Sequence, residues 1–122
     1  MDTKKRLPEA ELEIMQAVWQ LPSPVTADQV LEKVERDWGK TTLLNLMTRL
    51  CQRQVLSVKK EGRVNLYTPL VSREEYLKWE SGSFLQRVCG GSVTKLVASL
   101  YDGNSITKDD LEELRRFLDE RK

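Results

Sequence analysis

The side chains best suited to chemistry lie on one face of a helix predicted over residues 41–53. At 100° per residue, the polar side chains of this segment fall on one arc and the apolar ones on the opposite arc. The polar arc carries Thr41, Thr42, Asn45, Thr48, Arg49, Gln52 and Arg53. Short polar side chains let a helix approach base edges, where asparagine can bond adenine twice and threonine can meet a thymine methyl. The pattern therefore predicts a helix face that can bind a nucleic acid.

The start of the same helix is suited to an anion. Thr41 and Thr42 stand at its predicted N-terminus, where free backbone N–H groups and the helix dipole favour a phosphate. The apolar arc that would hold this helix against a core contains Leu43, Leu46, Met47 and Leu50. The helix is therefore expected to bury one side and show the other to solvent.

A basic hairpin is predicted to follow this helix. Val55–Lys60 and Arg63–Pro69 are rich in Val, Leu and Tyr, which predicts two strands joined by a turn at Glu61-Gly62. The cations at its tip are Lys59, Lys60 and Arg63. Residues 38–71 hold six basic residues against one acidic, although the net charge of the 122-residue chain is only +1. This local excess predicts contact with a phosphate backbone or a minor groove.

Each of these residues also has a purely structural explanation, which the sequence leaves open. Either threonine at the helix start can be a helix cap, and Asn45 and Thr48 can be ordinary solvent-facing residues. Arg49 can pair with one of the eight carboxylates of residues 1–37. The hairpin cations can simply protect an exposed strand edge from aggregation. The three tryptophans fit packing better than base stacking.

The preceding elements complete a known order. The apolar stripe of residues 8–20 predicts a first helix, and a capping-box pattern from Thr26 to Gln29 opens a second one that should reach about Arg36. Helix, helix, helix and hairpin is the order of a winged helix-turn-helix, which we assign to residues 1–71. In such folds the third helix enters the DNA major groove.

Residues 72–122 are predicted to form a separate three-helix domain, so the whole chain is mainly α. A capping-box pattern at Ser72 starts the first of these helices, and Thr107 with the three residues after it caps the last one. Their apolar stripes exceed what three short helices can hide, so we expect a homodimer that places two recognition helices on palindromic DNA. Packing onto the first domain is the open alternative. The predicted dimerisation residues are Tyr76, Leu77, Phe84, Leu85, Val88, Val93, Leu96, Val97, Leu100, Leu111, Leu114 and Leu118.

Composition narrows the function classes. The chain has no histidine, and its two cysteines, Cys51 and Cys89, are too far apart for a CxxC motif or a four-ligand zinc set. We therefore expect no enzyme activity, no cofactor, no metal site and no small-molecule ligand. We also expect the thiols to be reduced and buried, and we find neither a signal peptide nor a run of 18 apolar residues. These features predict a cytoplasmic protein without a membrane partner.

Three segments together resemble a known family. They are the acidic, Trp-containing first helix from Glu9 to Trp19, the segment from Thr42 to Leu50, and Gly90-Gly91 followed by an apolar helix and the segment from Leu111 to Arg115. The chain resembles penicillinase repressors of the BlaI/MecI type, a family that also includes copper-responsive CopY repressors, over nearly its whole length. The resemblance implies a homodimeric winged-helix repressor that blocks transcription from a palindromic operator.

The resemblance also implies residue roles. Thr42, Asn45, Thr48 and Arg49 would face DNA, and the hairpin cations would form the wing contact. The segment from Tyr76 to Leu118 would supply dimerisation. In the antibiotic-sensing members, a membrane sensor-protease signal leads to cutting of the repressor within the fifth helix, which breaks the dimer.

The sequence departs from the family pattern at three places that concern the operator sequence and the inducing signal. Leu44 stands where relatives often carry a polar or basic residue, and Ser99-Leu100 stands near the position where antibiotic-sensing members are cut between Asn and Phe. The paired-cysteine metal hook of the copper members is missing from the C-terminal segment. The resemblance implies a sensor-controlled protease as a partner, whereas Ser99-Leu100 departs from the cleaved Asn-Phe pair and the missing hook argues against copper control. The alternative function is a winged-helix protein-interaction module without a DNA role.

Overall fold

The computed structural model describes residues 6–121, a mainly helical chain with one antiparallel hairpin. Its elements are α1 (Glu9–Gln20), α2 (Ala27–Lys33), α3 (Lys40–Gln52), β1 (Leu56–Glu61), β2 (Val64–Pro69), α4 (Arg73–Cys89), α5 (Val93–Asp102) and α6 (Lys108–Glu120). This order confirms the predicted winged helix-turn-helix arrangement followed by three further helices.

The core of the first compact unit is built from apolar stripes at helical spacing. The fully buried stripes are Ile14, Met15 and Val18 on α1 and Leu43, Met47 and Leu50 on α3. Burying one such side chain stabilises the fold by about 1.5–3 kcal/mol. Three threonines and one asparagine lower the intrinsic helix propensity of α3, so this packing contributes to its stability.

A short strand pairing, absent from the sequence predictions, ties the segment before α2 to the hairpin. Val25 and Tyr67 exchange two backbone hydrogen bonds of 2.8 Å, and both residues are buried. The Pro22-Ser23-Pro24 segment follows the end of α1, and Val25 then pairs with Tyr67 of β2. The hairpin is therefore anchored to the helices at its base.

Several element boundaries differ from the sequence predictions. The second helix ends at Lys33 instead of Arg36, because Val34 is extended and Arg36 donates to Glu13 on α1 at 2.8 and 2.6 Å. That contact holds the pKa of the Glu13 carboxyl below its usual range through the Arg36 hydrogen bond. Both strands also begin one residue later than predicted, with Glu61 opposite Val64.

Both predicted capping boxes and the predicted helix cap at Thr107 are confirmed, and the cap at Thr107 is also a capping box. Thr26 and Gln29 exchange hydrogen bonds of 2.9 and 3.2 Å at the start of α2. Ser72 and Glu75 do so before α4, and Thr107 and Asp110 do so before α6. Each box satisfies two backbone N–H groups that a helix start leaves without a partner.

The chain divides into two compact units inside α4, between Glu80 and Ser81. The first turns of α4 belong to the first unit, because Tyr76 is buried there and its ring lies 5.9 Å from that of Trp19. In the second unit, α4 ends at Gly90 and Gly91, whose φ angles of +58° and +82° suit glycine. From Ser81 to Arg121, every side chain is half-buried or exposed.

Candidate nucleic-acid interface

The third helix is oriented as its polar pattern predicts. Its apolar stripe faces the core, and the opposite side lies open to solvent. The exposed residues on that side are Thr41, Thr42, Asn45, Thr48, Arg49 and Gln52. Leu44 lies half-buried at the edge between the two faces. The exposed face can therefore contact a DNA groove without any change in the fold.

The backbone N–H groups at the start of α3 are not capped by a side chain. The helix begins at Lys40, one residue before the prediction, with Gly39 at the N-cap and without a side-chain cap. The first intrahelical bond is donated by Leu43 to the Gly39 carbonyl at 3.1 Å. Neither threonine of the first turn caps the helix, so both side chains point into the exposed face.

Two side chains in the middle of the face differ in what they can offer. Within residues 6–121, the amide of Asn45 has no hydrogen-bond partner, so its donors and its acceptor are all available. The Thr48 hydroxyl donates to the Leu44 carbonyl at 2.9 Å, one turn earlier. Thr48 therefore keeps a methyl group and an acceptor for a ligand, while Asn45 can make a two-bond contact.

The two arginines of α3 have different roles. Arg49 is exposed and, in the described part of the chain, forms no ion pair, so pairing with a carboxylate of the first helices does not occupy it. Arg53 instead donates from Nε to Glu11 at 2.7 Å. Glu11 is only 2% exposed and Arg53 30%. Arg53 was predicted to contact DNA, but its side chain is already paired with a largely buried carboxylate of α1.

The hairpin presents its cations around a tight turn. Gly62 has a φ of +62°, which suits a two-residue hairpin turn, and Arg63 follows it. Lys59, Lys60 and Arg63 are exposed, and none of them pairs with a carboxylate in residues 6–121. The register places Lys60 opposite Asn65 and Lys59 opposite Leu66, so the two lysines point to different faces of the hairpin.

A cleft of about 250 Å³ joins the wing to the start of α3. Its lining residues are Thr26, Ala27, Asp28, Lys40, Leu44, Arg63, Val64, Asn65 and Tyr67. Lys40 and Asn65 were not among the predicted site residues. Lys40 was counted only in the basic segment, and Asn65 could have been found from the hairpin register opposite Lys60. The cleft brings the first turn of α3 and the wing to one surface.

The predicted dimerisation residues do not all lie on one exposed stripe. Tyr76 is 5% exposed in the core of the first unit, and its hydroxyl accepts a hydrogen bond from the Leu7 backbone N–H at 2.8 Å. Burial raises the pKa of Tyr76 to about 12. The exposed members are Leu77, Phe84, Val88, Val93, Leu114 and Leu118. The half-buried members are Leu85, Leu96, Val97, Leu100 and Leu111.

The predicted cleavage site lies near the end of α5. The Ser99 carbonyl accepts a hydrogen bond from Gly103 at 2.9 Å, and the Leu100 carbonyl accepts one from Ser105 at 2.8 Å. Ser99 is exposed and Leu100 is half-buried. The Ser99-Leu100 bond is thus inside hydrogen-bonded helix, and a protease that needs an extended substrate must first unwind the last turns of α5.

The remaining sequence predictions concern thiols, metals and membranes. Cys51 and Cys89 are free and half-buried, not fully buried as expected, and burial raises the pKa of the Cys51 thiol. Across residues 6–121, no three His, Cys, Asp or Glu side chains are grouped to hold a metal ion. Among the helices described above, none is long and apolar enough to cross a membrane.

Three helices, a basic two-stranded wing and an exposed polar third helix define a winged helix-turn-helix protein. The penicillinase repressor family model matches residues 7–120, so the chain belongs to the penicillinase repressor family. It is 29% identical over 123 residues to the penicillinase repressor of Bacillus licheniformis, covering 97% of this chain and 95% of that protein. It is 28% identical over 124 residues to the methicillin resistance regulatory protein MecI of Mammaliicoccus sciuri, covering 99% and 100%.

Two solved structures are similar to part of the chain. One is the solution structure of monomeric Bacillus licheniformis BlaI in complex with the blaP half-operator, with a TM-score of 0.50 and 30% identity. It covers 59% of this chain and 89% of that one. The other is the DNA-binding domain of the repressor BlaI, with a TM-score of 0.51, 30% identity, and coverage of 58% and 88%. These similarities confirm the winged-helix fold.

Proposed function

We propose that this protein is a sequence-specific DNA-binding repressor that acts as a homodimer on a palindromic operator. Residues 1–71 bind the DNA, and residues 72–122, apart from Tyr76, which is buried in the first unit, hold the two copies together. The observation that carries the proposal is the exposed polar face of α3, with an unpartnered Asn45 and an unpaired Arg49, beside a wing with three unpaired cations within the described chain. A repressor works on the chromosome, so the proposal also carries a cytoplasmic location.

The roles follow from the chemistry of each group. Asn45, Thr48 and Arg49 face base edges in the major groove, where asparagine reads adenine through two hydrogen bonds. Thr41 and Thr42 hold a phosphate at the start of α3. The wing cations contact the flanking backbone or minor groove and add affinity without reading sequence. The half-operator bound by the similar Bacillus licheniformis repressor supports DNA as the ligand.

The experiment that tests the proposal begins with selection of a binding sequence from a random duplex library by the full chain. Asn45→Ala should then weaken binding to the selected duplex by about 1–3 kcal/mol and relax preference at one base pair, because a two-bond base contact is lost. Fluorescence anisotropy at several salt concentrations measures both effects.

Two variants serve as controls for this experiment. Lys60→Ala should weaken binding to selected and random duplexes alike. It should also lower the slope of log K against log salt by about the amount expected for one phosphate contact. Lys95→Ala removes an exposed cation from α5 and should change neither quantity. If Asn45→Ala leaves affinity and sequence preference unchanged, α3 is not the reading element. If the wild-type chain shows no salt-sensitive DNA binding, a protein-interaction role replaces the proposal.

The homodimer is supported by the apolar side chains that residues 81–121 leave at the surface. Val88, Val93 and Leu118 are each more than half exposed, and all are apolar. Exposed apolar patches of this kind usually mark an interface. Sedimentation velocity at tens of micromolar should give a dimer, and a monomer at that concentration would contradict this part of the proposal.

Induction by proteolysis is the remaining part of the proposal. A cut at or near Ser99-Leu100 would divide α5 within the segment proposed to dimerise, and so release the operator. Mass spectrometry of the protein from induced cells should find fragments that end in this region. An intact chain during derepression would show that the inducing signal works in another way.

A further inference from the structure

The cleft between the wing and the start of α3 contains charges of both signs. Lys40 and Arg63 line it, and so does the carboxylate of Asp28. Lys40 Nζ lies 3.0 Å from Asp28 Oδ1, so these two residues form an ion pair in the free protein. Arg63 has no such partner within residues 6–121. A phosphate group that entered this cleft would meet one free cation and one that is already engaged.

The Asp28–Lys40 pair is more exposed than the Glu13–Arg36 and Glu11–Arg53 pairs. Its side chains are 73% and 55% exposed, whereas those of the Glu11–Arg53 pair are 2% and 30% exposed. An exposed ion pair contributes little to stability, because water competes for both charges. Lys40 can therefore exchange Asp28 for another anion at small cost, which Arg53 cannot do with Glu11.

The position of the pair relates it to DNA. Lys40 is the first residue of α3, and Asn65 and Arg63 line the same cleft from the wing. If α3 and the wing both contact one duplex, as proposed above, a backbone phosphate passes across this cleft. The negative charge of Asp28 would then lie beside the phosphate, where it repels the phosphate and competes for the same lysine.

We propose that this cleft seats a DNA backbone phosphate between Lys40 and Arg63, and that Asp28 limits DNA affinity by competing with that phosphate for Lys40. The inference rests on the proposed function and adds two residues to it. Asp28 is a positioning residue in this account, since it acts through Lys40. The wild-type protein binds DNA more weakly than its cations alone allow, which keeps binding to unrelated sequences low.

The exchange has a signature in the salt dependence of binding. When Lys40 binds a phosphate, DNA releases a condensed cation, and this release steepens the loss of affinity with salt. Asp28, left without Lys40, takes up a cation from solution and offsets part of that release. Removing the Asp28 charge should therefore both tighten binding and steepen its dependence on salt.

Asp28→Asn in the full chain tests the proposal, with a random-sequence duplex and a selected duplex as probes. We expect binding at low salt to tighten about two- to fivefold on both duplexes, the size of one exposed ion pair. The slope of log K against log salt should steepen by up to about 0.9, the value for one phosphate contact. Fluorescence anisotropy gives both numbers, and thermal melting confirms that the variant is folded.

A matched control separates competition for Lys40 from a general loss of negative charge. Glu32→Gln removes one carboxylate from the same helix, but Glu32 lines a different groove, next to α1. Asp28→Asn should tighten binding more than Glu32→Gln in the wild-type background, and no more than Glu32→Gln when Lys40 is Ala. Equal effects of both variants in the wild-type background would overturn the proposal.

If Asp28→Asn tightens binding by the same factor whether residue 40 is Lys or Ala, the proposal is also overturned. Failure of the proposed function is distinguishable, because the wild-type chain would then bind neither duplex. Tight, salt-sensitive binding by the wild-type chain with no gain from Asp28→Asn would leave the repressor function intact and remove only this inference.

Discussion

Two arginines one turn apart on the same helix show how burial decides a residue's role. Arg49 and Arg53 are equivalent in the sequence pattern, since both belong to the polar arc of α3. Arg53 is drawn to Glu11, a carboxylate that the first helix buries almost completely. A buried carboxylate needs a partner, because the charge loses its water. Arg53 is therefore held by α1, while Arg49 is left for a ligand.

Replacing each arginine with alanine should separate these roles. Arg53→Ala should lower the free energy of unfolding by about 3 kcal/mol, the low end for breaking a buried ion pair, because Arg53 is partly exposed. Arg49→Ala should leave stability nearly unchanged and weaken DNA binding. Urea unfolding and anisotropy measure the two quantities. A stable Arg53→Ala protein that loses DNA affinity would mean that Arg53 contacts DNA after all.

At the scale of elements, the sequence predicted most of what lies within one helix or hairpin. Capping boxes at Thr26, Ser72 and Thr107 depend on residues three positions apart, and all three formed. The orientation of α3 was also predictable, because its apolar stripe has helical period. Each of these signals is local, so one sequence is sufficient to find it.

Long-range contacts were the ones that the sequence could not reveal. The Val25–Tyr67 pairing joins residues 42 positions apart, and the Glu11–Arg53 pair joins residues equally distant. Tyr76 could not be assigned correctly either. Its apolar stripe continues into Leu77 and Phe84, so the sequence placed it with the dimerisation residues. Only the packed structure places Tyr76 against Trp19 and Leu7. Apolar spacing identifies a buried face without saying which core buries it.

The packing of the first turns of α4 in the core of the first unit can be tested at Tyr76. Tyr76→Phe keeps the ring but leaves the Leu7 N–H without its 2.8 Å partner. An unsatisfied buried donor costs about 1–3 kcal/mol, so the free energy of unfolding should fall by that amount. Tyr101→Phe, on the exposed surface of α5, is the matched control and should change little. No loss in Tyr76→Phe would mean that this hydrogen bond does not hold α4 in place.

The same tyrosine gives a pH dependence with a defined sign. The pKa of Tyr76 is raised to about 12 in the folded chain from an ordinary value of 10.0, chiefly by burial. Its contribution to stability is therefore full below pH 10 and is lost as the pH rises toward 12. The difference in unfolding free energy between wild type and Tyr76→Phe should shrink over that range. A constant difference would contradict the burial of the hydroxyl.

At the scale of the whole molecule, a nearly neutral chain separates its charge along the sequence. Residues 38–71 are strongly basic, and the flanking segments compensate for them. Non-specific attraction to DNA should therefore be modest, and discrimination should depend on α3 and on two-fold symmetry rather than on total charge. The proposed dimer would supply that symmetry through the exposed apolar side chains that follow Ser81.

The measurement that tests this account most directly is a hydroxyl-radical footprint of the full chain on its selected duplex. A homodimer of winged helices should protect two patches related by a two-fold axis, with centres about one or two helical turns apart, roughly 10 or 21 base pairs. At a concentration that just gives full wild-type protection, Asn45→Ala should weaken both patches together. A single patch without symmetry would contradict the dimer, and uniform cleavage of the selected duplex would contradict DNA recognition by α3.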